Sequence, residues 1–513
     1  MTTQRSEHAF ALEKTEFALE QEHKLVKSLR RIDIFLFIVA AVIALDTIGT
    51  IASGGLEALF WGVVLVITFM VPYAMLFAET GGAFTEEGGP YQWVKYAFGR
   101  LPAGITSVLY WITNPIWLGG SLAFIAYEAW SAYVFEIPSG SVGDWIFKIL
   151  FVWIAILLAV VSLKSGKVVV NLGAWAKLVV LLALVVTTVL YGIQNGFQPL
   201  DLGNLSPSVA GFLGVAPILL FAYVGFEAPN AASQEMLDPE KDTAPAIRRG
   251  SGVAMAAYLL PVLAILLVVP ADEVAGVDSF MGAVAQVFTV YGSAGDVLVK
   301  IVAALFVFAL VNQGSSWMIA TDRIQAMAAA DGTFFGKFFG EFHEKLGTPL
   351  RVNILSGVMS TVFIVAAMTL VEGDAGAIFG VVLTCAITTL LVSYVVIIPA
   401  IMKLNASYPE VPRTYTVPGG TKGFQILGAV LFVYILIGSV AALFPGVLEC
   451  LFGLDYDFLE VWGVDRTQFE IFTLGTLVVV IVIGLVGYYF GRNLRANLVA
   501  GDAQPDRTAE FAD

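Results

Sequence analysis

The chain has 513 residues, 58% of them hydrophobic and only 13% charged, where a soluble domain is about a quarter charged. The apolar residues come in blocks of about 20, long enough to cross a bilayer as helices. That excludes an ordinary soluble domain and points to an all-α polytopic membrane protein. The net charge of -14 would suggest a basic partner only if it were spread evenly, and it is not.

Residues 1–31 are polar, with acids and bases mixed, and carry no cleavable signal peptide. They read as a cytoplasmic tail, partly helical from Phe10 to Leu29. Twelve transmembrane helices follow. Helix 1 is expected at 33–53, helix 2 at 57–79, helix 3 at 102–135 and helix 4 at 145–163. Helix 5 is expected at 168–192, helix 6 at 209–236, helix 7 at 250–270 and helix 8 at 297–330. Helices 9 to 12 fall near 352–371, 376–403, 424–446 and 470–491, and Met281 to Tyr291 reads as a short helix on the outer surface.

Lys and Arg set the orientation. With the N-terminus inside, the inner segments hold 22 of the 27 basic residues, from Arg5 through Lys164 to Arg507. The outer side has Lys148, Lys300 and Arg466, and it carries acids such as Glu136, Asp201, Asp272, Glu273, Asp278, Asp455, Asp457 and Asp465. Acidity is thus a property of the outer face. Both termini are expected in the cytoplasm and the protein in the plasma membrane. His8, His23 and His343 all lie outside the apolar blocks, so neither an intramembrane histidine relay nor a metal site is expected. Cys385 and Cys450 imply no disulfide framework. No cofactor and no nucleic-acid partner is expected. No zinc-protease, nucleophile-elbow or phosphate-loop motif occurs in a plausible context, so the chain does not read as an enzyme.

Two apolar runs are interrupted. Helix 1 contains Gly49-Thr50-Ile51-Ala52-Ser53-Gly54-Gly55, with Asp46 one turn upstream. Helix 6 contains Phe221-Ala222-Tyr223-Val224-Gly225-Phe226-Glu227. A plain anchor has no use for a glycine and a carboxylate at bilayer depth, whereas a broken helix that exposes backbone to a ligand uses both. These two stretches are expected to be the halves of one substrate site. They lie five helices apart, as an inverted repeat of helices 1–5 (32–192) and 6–10 (193–403) requires. Helices 11 and 12 (404–491) would be additions, followed by a tail at 492–513.

Four stretches carry a family resemblance. Between helices 2 and 3 stand Ala78-Glu79-Thr80, Glu87-Gly88-Gly89-Pro90-Tyr91-Gln92-Trp93 and Ala97-Phe98-Gly99. Helix 6 runs from Phe221 through Glu235 to Pro239, then Pro245-Ala246-Ile247. Helix 8 ends Thr321-Asp322-Arg323 and Ala326 to Gly332, with Thr348-Pro349 beyond, and Pro412 to Gly420 follows helix 10. In this order the stretches resemble the amino acid–polyamine–organocation superfamily of secondary transporters. The resemblance implies a five-plus-five inverted repeat with broken helices 1 and 6, and alternating access for a small molecule. One departure stands out: the family's Gly-Ser-Gly-like turn in helix 1 is aligned here with Gly49-Thr50-Ile51, which lacks the second glycine.

The implied function is amino acid transport, coupled to protons or working by exchange. A polyamine or other organic-amine carrier is the alternative, ahead of a non-transporting sensor or a channel. A half-helix N-terminus suits a substrate carboxylate, which Gly49, Thr50, Ile51 and Ala52 would meet with N–H groups. Unwound carbonyls at Tyr223 to Gly225 suit an ammonium. Asp46, an ionisable group inside a span, faces a substrate ammonium or takes a proton. Phe221 resembles the aromatic that closes over substrate in relatives, and Trp317 an aromatic facing the site. Lys177 resembles a helix 5 lysine whose ammonium replaces a bound cation in proton-coupled relatives. Burial disfavours a charged side chain, so Lys177 and Glu227 are the candidate proton carriers. The lipid bilayer, the substrate and protons are the expected partners.

Overall fold

The computed structural model describes residues 14–161, 167–200, 202–203, 205–270, 279–370, 375–496 and 498–499. Arg5, His8, Lys164, Asp201, Asp272, Glu273, Asp278 and Arg507, all used above, lie outside the described residues. So does most of the C-terminal tail.

Among the described residues the regular elements are helices, apart from one two-residue strand pair and an isolated bridge between Leu29 and Met236. Strand β1 (Lys14–Thr15) leads into α1 (Glu16–Glu22), a shorter helix than expected for the tail. Then come α2 (Arg31–Val42) and α3 (Leu45–Ser53), which meet at 44°. Next are α4 (Gly55–Ala83), the short α5 (Gly89–Phe98) and α6 (Arg100–Tyr133). Then follow α7 (Val142–Val161), α8 (Lys167–Asn195) and α9 (Val209–Ala222). A 3₁₀ segment, Ala228–Glu235, leads to α10 (Pro239–Leu266), which starts well before the expected helix 7. The remaining main elements are α11 (Ser279–Phe288), α12 (Gly295–Ala330), α13 (Leu350–Leu370), α14 (Ala375–Ser407), α15 (Gly420–Leu443) and α16 (Arg466–Phe490). Strand β2 (Leu498–Val499) pairs antiparallel with β1.

Among the described residues, ten helices are long and apolar enough to cross a membrane, or eleven if α2 and α3 count as one bent span. α9 is apolar but has only 14 residues, about 21 Å at 1.5 Å per residue. The layout is a buried pair of pillars with a lipid-facing jacket. The apolar window of α6 is 100% buried. The long α12 packs on α2, α6, α7, α8 and α13. α7, α8 and α16 stand outside and expose Leu150, Leu157, Leu172, Trp175, Val479 and Val482, as a surface solvated by acyl chains does. The short helix expected near Met281 to Tyr291 is present as α11, with Phe280, Val284 and Val287 buried against its neighbours.

The first break also differs from expectation. Gly49, Thr50, Ile51 and Ala52 lie inside α3, with ordinary helical neighbours. The chain leaves the helix at Ile43 and Ala44 instead, both in extended conformation. Neither is a glycine or a proline. The reason is tertiary: side chains from other helices take over the main-chain hydrogen bonds that the bend gives up. The second break falls where its glycine predicts. α9 ends at Ala222 and Gly225 has φ of 106°, a region that favours glycine.

Candidate substrate and coupling site

Around Ile43 and Ala44 six freed backbone groups have side-chain partners. Trp317 Nε1 donates to Ala41 O at 2.7 Å. The Tyr258 hydroxyl donates to Val42 O at 2.7 Å and accepts from Ala44 N at 2.8 Å. Lys177 Nζ donates to Ala40 O at 2.6 Å and to Ile43 O at 2.5 Å. Leu45 N donates to Gln313 Oε1 at 3.3 Å. Lys177 is therefore fully buried and bound to the break, not extended toward an interface.

Asp46 sits in the first turn of α3, 2% exposed. Its Oδ1 accepts from Gln313 Nε2 at 2.8 Å. Its Oδ2 accepts from Trp117 Nε1 at 2.7 Å and from Ser121 Oγ at 3.3 Å. Gln313 Oε1 in turn accepts from Lys177 Nζ at 2.9 Å. One amide thus stands between the acid and the base.

The second break surrounds Glu227, which is buried. The hydroxyls of Tyr73 and Tyr394 donate to its carboxylate, and Tyr110 donates at 2.7 Å. These tyrosines come from α4, α14 and α6, so a single carboxylate ties three helices to the unwound chain. Gly225 N donates to the Tyr73 hydroxyl at 3.2 Å. A Cβ on Gly225 would lie 2.6 Å from the Trp317 indole.

Between the two breaks is a cavity of about 10 Å³, lined by residues that include Val42, Ala44, Asn114, Trp117, Phe221 and Trp317. That is room for about one water. Trp117 and Phe221 meet edge to face at 5.4 Å, and Trp317 lies 6.3 Å from Trp117. The aromatic groups close the cavity on themselves.

The expected site residues divide accordingly. Phe221 and Trp317 line the cavity. Asp46 lies behind Trp117, with Lys177 behind Gln313. Tyr223 turns away, its hydroxyl donating to Gly62 O at 3.3 Å, and Val224 takes its place at the wall. Gly225 contributes close backbone packing. Gly49, Thr50, Ile51 and Ala52 are absent from the lining, although the Thr50 hydroxyl is enclosed without a hydrogen-bond partner.

Trp117, Tyr258, Gln313 and the three tyrosines were not anticipated. Gln313 had a readable signal: it is a polar residue in an apolar run, four positions before Trp317 and so on the same helix face. Trp117 stands two positions after Pro115, a proline inside α6. The tyrosines had no signal among 17 in the chain.

On the side where the termini meet lies a charged layer. Arg323, 1% exposed, contacts Glu235 and pairs with Glu87 at 3.3 Å. Burial pushes Glu87 up to about 8 despite that guanidinium. Burial would also raise Asp331, but Lys95 and Arg100 hold it below the usual range. Thr15 Oγ donates to Ala330 O at 2.6 Å, so β1 is docked on this layer. Arg413 pairs with Glu79 at 3.0 Å.

A family model described as amino acid permease matches residues 29–449. The chain is 25% identical over 419 residues to the protein named probable agmatine/putrescine antiporter AguD of Lactococcus lactis, covering 80% of this chain and 86% of that one. It is 26% identical over 426 residues to an uncharacterized transporter of Legionella pneumophila, covering 81% and 89%. Among solved structures, a manganese transporter of Eremococcus coleocola in complex with an aromatic bis-isothiourea substituted compound is similar, with a TM-score of 0.57. That match has 13% identity and covers 90% of this chain and 95% of the other, a likeness of fold alone.

Proposed function

The chain belongs to the amino acid permease family, and from that premise we propose that it is a secondary transporter of a small organic amine, working by exchange. The observation that carries this is Asp46. It puts a carboxylate at the N-terminal turn of α3, the end of a half-helix that would otherwise attract a substrate carboxylate. Two carboxylates about 4 Å apart repel by roughly 4 kcal/mol at an effective dielectric of 20. An ammonium is attracted by as much. The N–H groups at Gly49 to Ala52 cannot serve an amino acid's carboxylate while they are inside α3. The name of the Lactococcus relative, with agmatine and putrescine in it, agrees with this reading.

Trp117 is the placeholder. Its indole N–H occupies Asp46 Oδ2 and its ring walls the cavity. A substrate ammonium replaces that donor once Trp117 and Phe221 part. Lys177 is the coupling base, and Glu227 is an anchor, since three phenol donors converge on it. We read the chain as a plasma-membrane protein of two five-helix repeats (32–192 and 193–403), two further helices and both ends in the cytoplasm. Pairing of β1 with β2 supports ends on one side.

The test is thermal stabilisation of detergent-purified protein by putrescine, agmatine, lysine and alanine, since bound ligand stabilises by mass action. Putrescine and agmatine are expected to stabilise, and Asp46→Asn to weaken them about 100-fold, near 2.7 kcal/mol. Stabilisation by alanine but not by the amines overturns the proposal. Counterflow in proteoliposomes separates a carrier from a sensor or a channel.

A further inference from the structure

Asp46 and Lys177 are an acid and a base buried side by side, yet no direct ion pair joins them among the described residues. Gln313 stands between them. The orientation of its amide is fixed by chemistry. An ammonium can only donate, so Oε1 must face Lys177, and it does at 2.9 Å. Nε2 is then left to donate to Asp46 Oδ1, at 2.8 Å. Leu45 N, at the start of α3, donates to the same Oε1. Gln313 is 0% exposed, so no water competes for these bonds.

A direct buried Asp–Lys pair would be a poor binding site, because removing either partner from the other leaves an uncompensated charge. An amide spacer changes this. It transmits the attraction while leaving the carboxylate able to take a second cation. The groups facing the Lys177 ammonium are few. Ala40 O and Ile43 O come from the break, Gln313 from α12, and Asp46 is the one charge acting on it from α3. From α10, Tyr258 faces the same break but is engaged with Val42 and Ala44. From α11, packed beside α8, the residues Phe280, Val284 and Val287 are apolar.

We propose that Gln313 is the positioning residue that links occupancy of Asp46 to the charge on Lys177, so that one substrate ammonium is exchanged for one proton. This inference rests on the amine reading of the site. Without substrate, the Asp46 carboxylate and the Lys177 ammonium sum to zero. An arriving R–NH₃⁺ on Asp46 raises the enclosure to +1. Lys177 Nζ then breaks one N–H bond, keeps the electron pair as –NH₂, and gives the proton to water or a buffer base on the open side. The enclosure returns to zero. Reprotonation of Lys177 from the other side, as the amine leaves, completes an exchange of one ammonium for one proton, so the charge carried across is that of the amine's remaining groups. Gln313 makes the two events one, because among the described residues it is the only side chain that bonds both groups.

The experiment is calorimetric titration of putrescine into the purified full chain, in two buffers of different ionisation enthalpy, which counts protons released. In the wild type about one proton is expected per amine bound, and the affinity falls about tenfold for each pH unit lowered. Gln313→Leu removes an acceptor from Lys177, leaving it neutral beforehand. Gln313→Glu supplies a permanent counter-charge, leaving it protonated throughout. Both variants are expected to bind putrescine with close to no proton release and a flat pH profile. Either one suffices if the other does not fold. A merely structural glutamine would change affinity or yield but not the proton count. Amine binding in the wild type without proton release, or an unchanged count in a folded variant, overturns the inference while the amine reading stands. No putrescine binding at all in the wild type overturns both.

Discussion

The two breaks do the same job by opposite means. At Tyr223 to Glu227 the chain breaks itself: Gly225 takes a backbone conformation that side-chain-bearing residues avoid, and Glu227 draws in three tyrosines. At Ile43 and Ala44 the chain is broken by its neighbours. Nothing in Ala40-Ala41-Val42-Ile43-Ala44 resists a helix, yet Lys177, Tyr258 and Trp317 hold a backbone group of each of these five residues, and Gln313 holds Leu45 N. A break written into local residues is visible in the sequence. A break imposed by tertiary partners is not.

The largest expected effect lies where the second break is tethered. Arg323→Ala leaves Glu87 and Glu235 buried and unpaired, and should cost about 3–5 kcal/mol, read as loss of folded protein on heating. A variant as stable as wild type would mean that the tail of that break needs no anchor. Gly225→Ala comes next. Its φ of 106° and the 2.6 Å approach to Trp317 should cost about 1–3 kcal/mol and slow counterflow. Tyr258→Phe attacks the other break from a distance, stranding Val42 O and Ala44 N. A loss of about 1–3 kcal/mol by thermal unfolding is expected, with no change if the bend were intrinsic to residues 43–44.

Legibility follows the same division. The helices are readable because apolar run length is a local property, and their ends were placed within a few residues at α6, α12 and α13. Gly225 was readable because glycine suits the conformation at the break, and Phe221 and Trp317 stood out as aromatics in stretches that the structure brings to the cavity wall. Asp46 was readable as an intramembrane acid. Its neighbourhood was not: the glycines at 49, 54 and 55 drew the expected break downstream, where α3 in fact continues to Ser53. Long-range partners such as Gln313 and Tyr258 carry no mark in one chain's local pattern.

The smallest effect is on pH. Glu87 titrates near 4.5 unfolded and about 8 when folded, so the unfolded chain releases its proton first. The stabilising contribution is whole below about pH 4.5 and is lost as pH rises toward 8. Glu87→Gln should flatten the melting temperature over that window. An unchanged slope would assign it to another group.

Pairing of Lys14–Thr15 with Leu498–Val499 has a consequence for synthesis. β1 is made before β2, with the long helices of the described residues between them. Chains are made at about 5–20 residues per second, so β1 waits tens of seconds for its partner while the helices insert. The strand pair beside the charged layer forms only after Leu498 and Val499 have been made. A chain stalled before Leu498 would leave the edge of β1 unpaired, a feature by which quality control tells such a chain from one that has closed the pair.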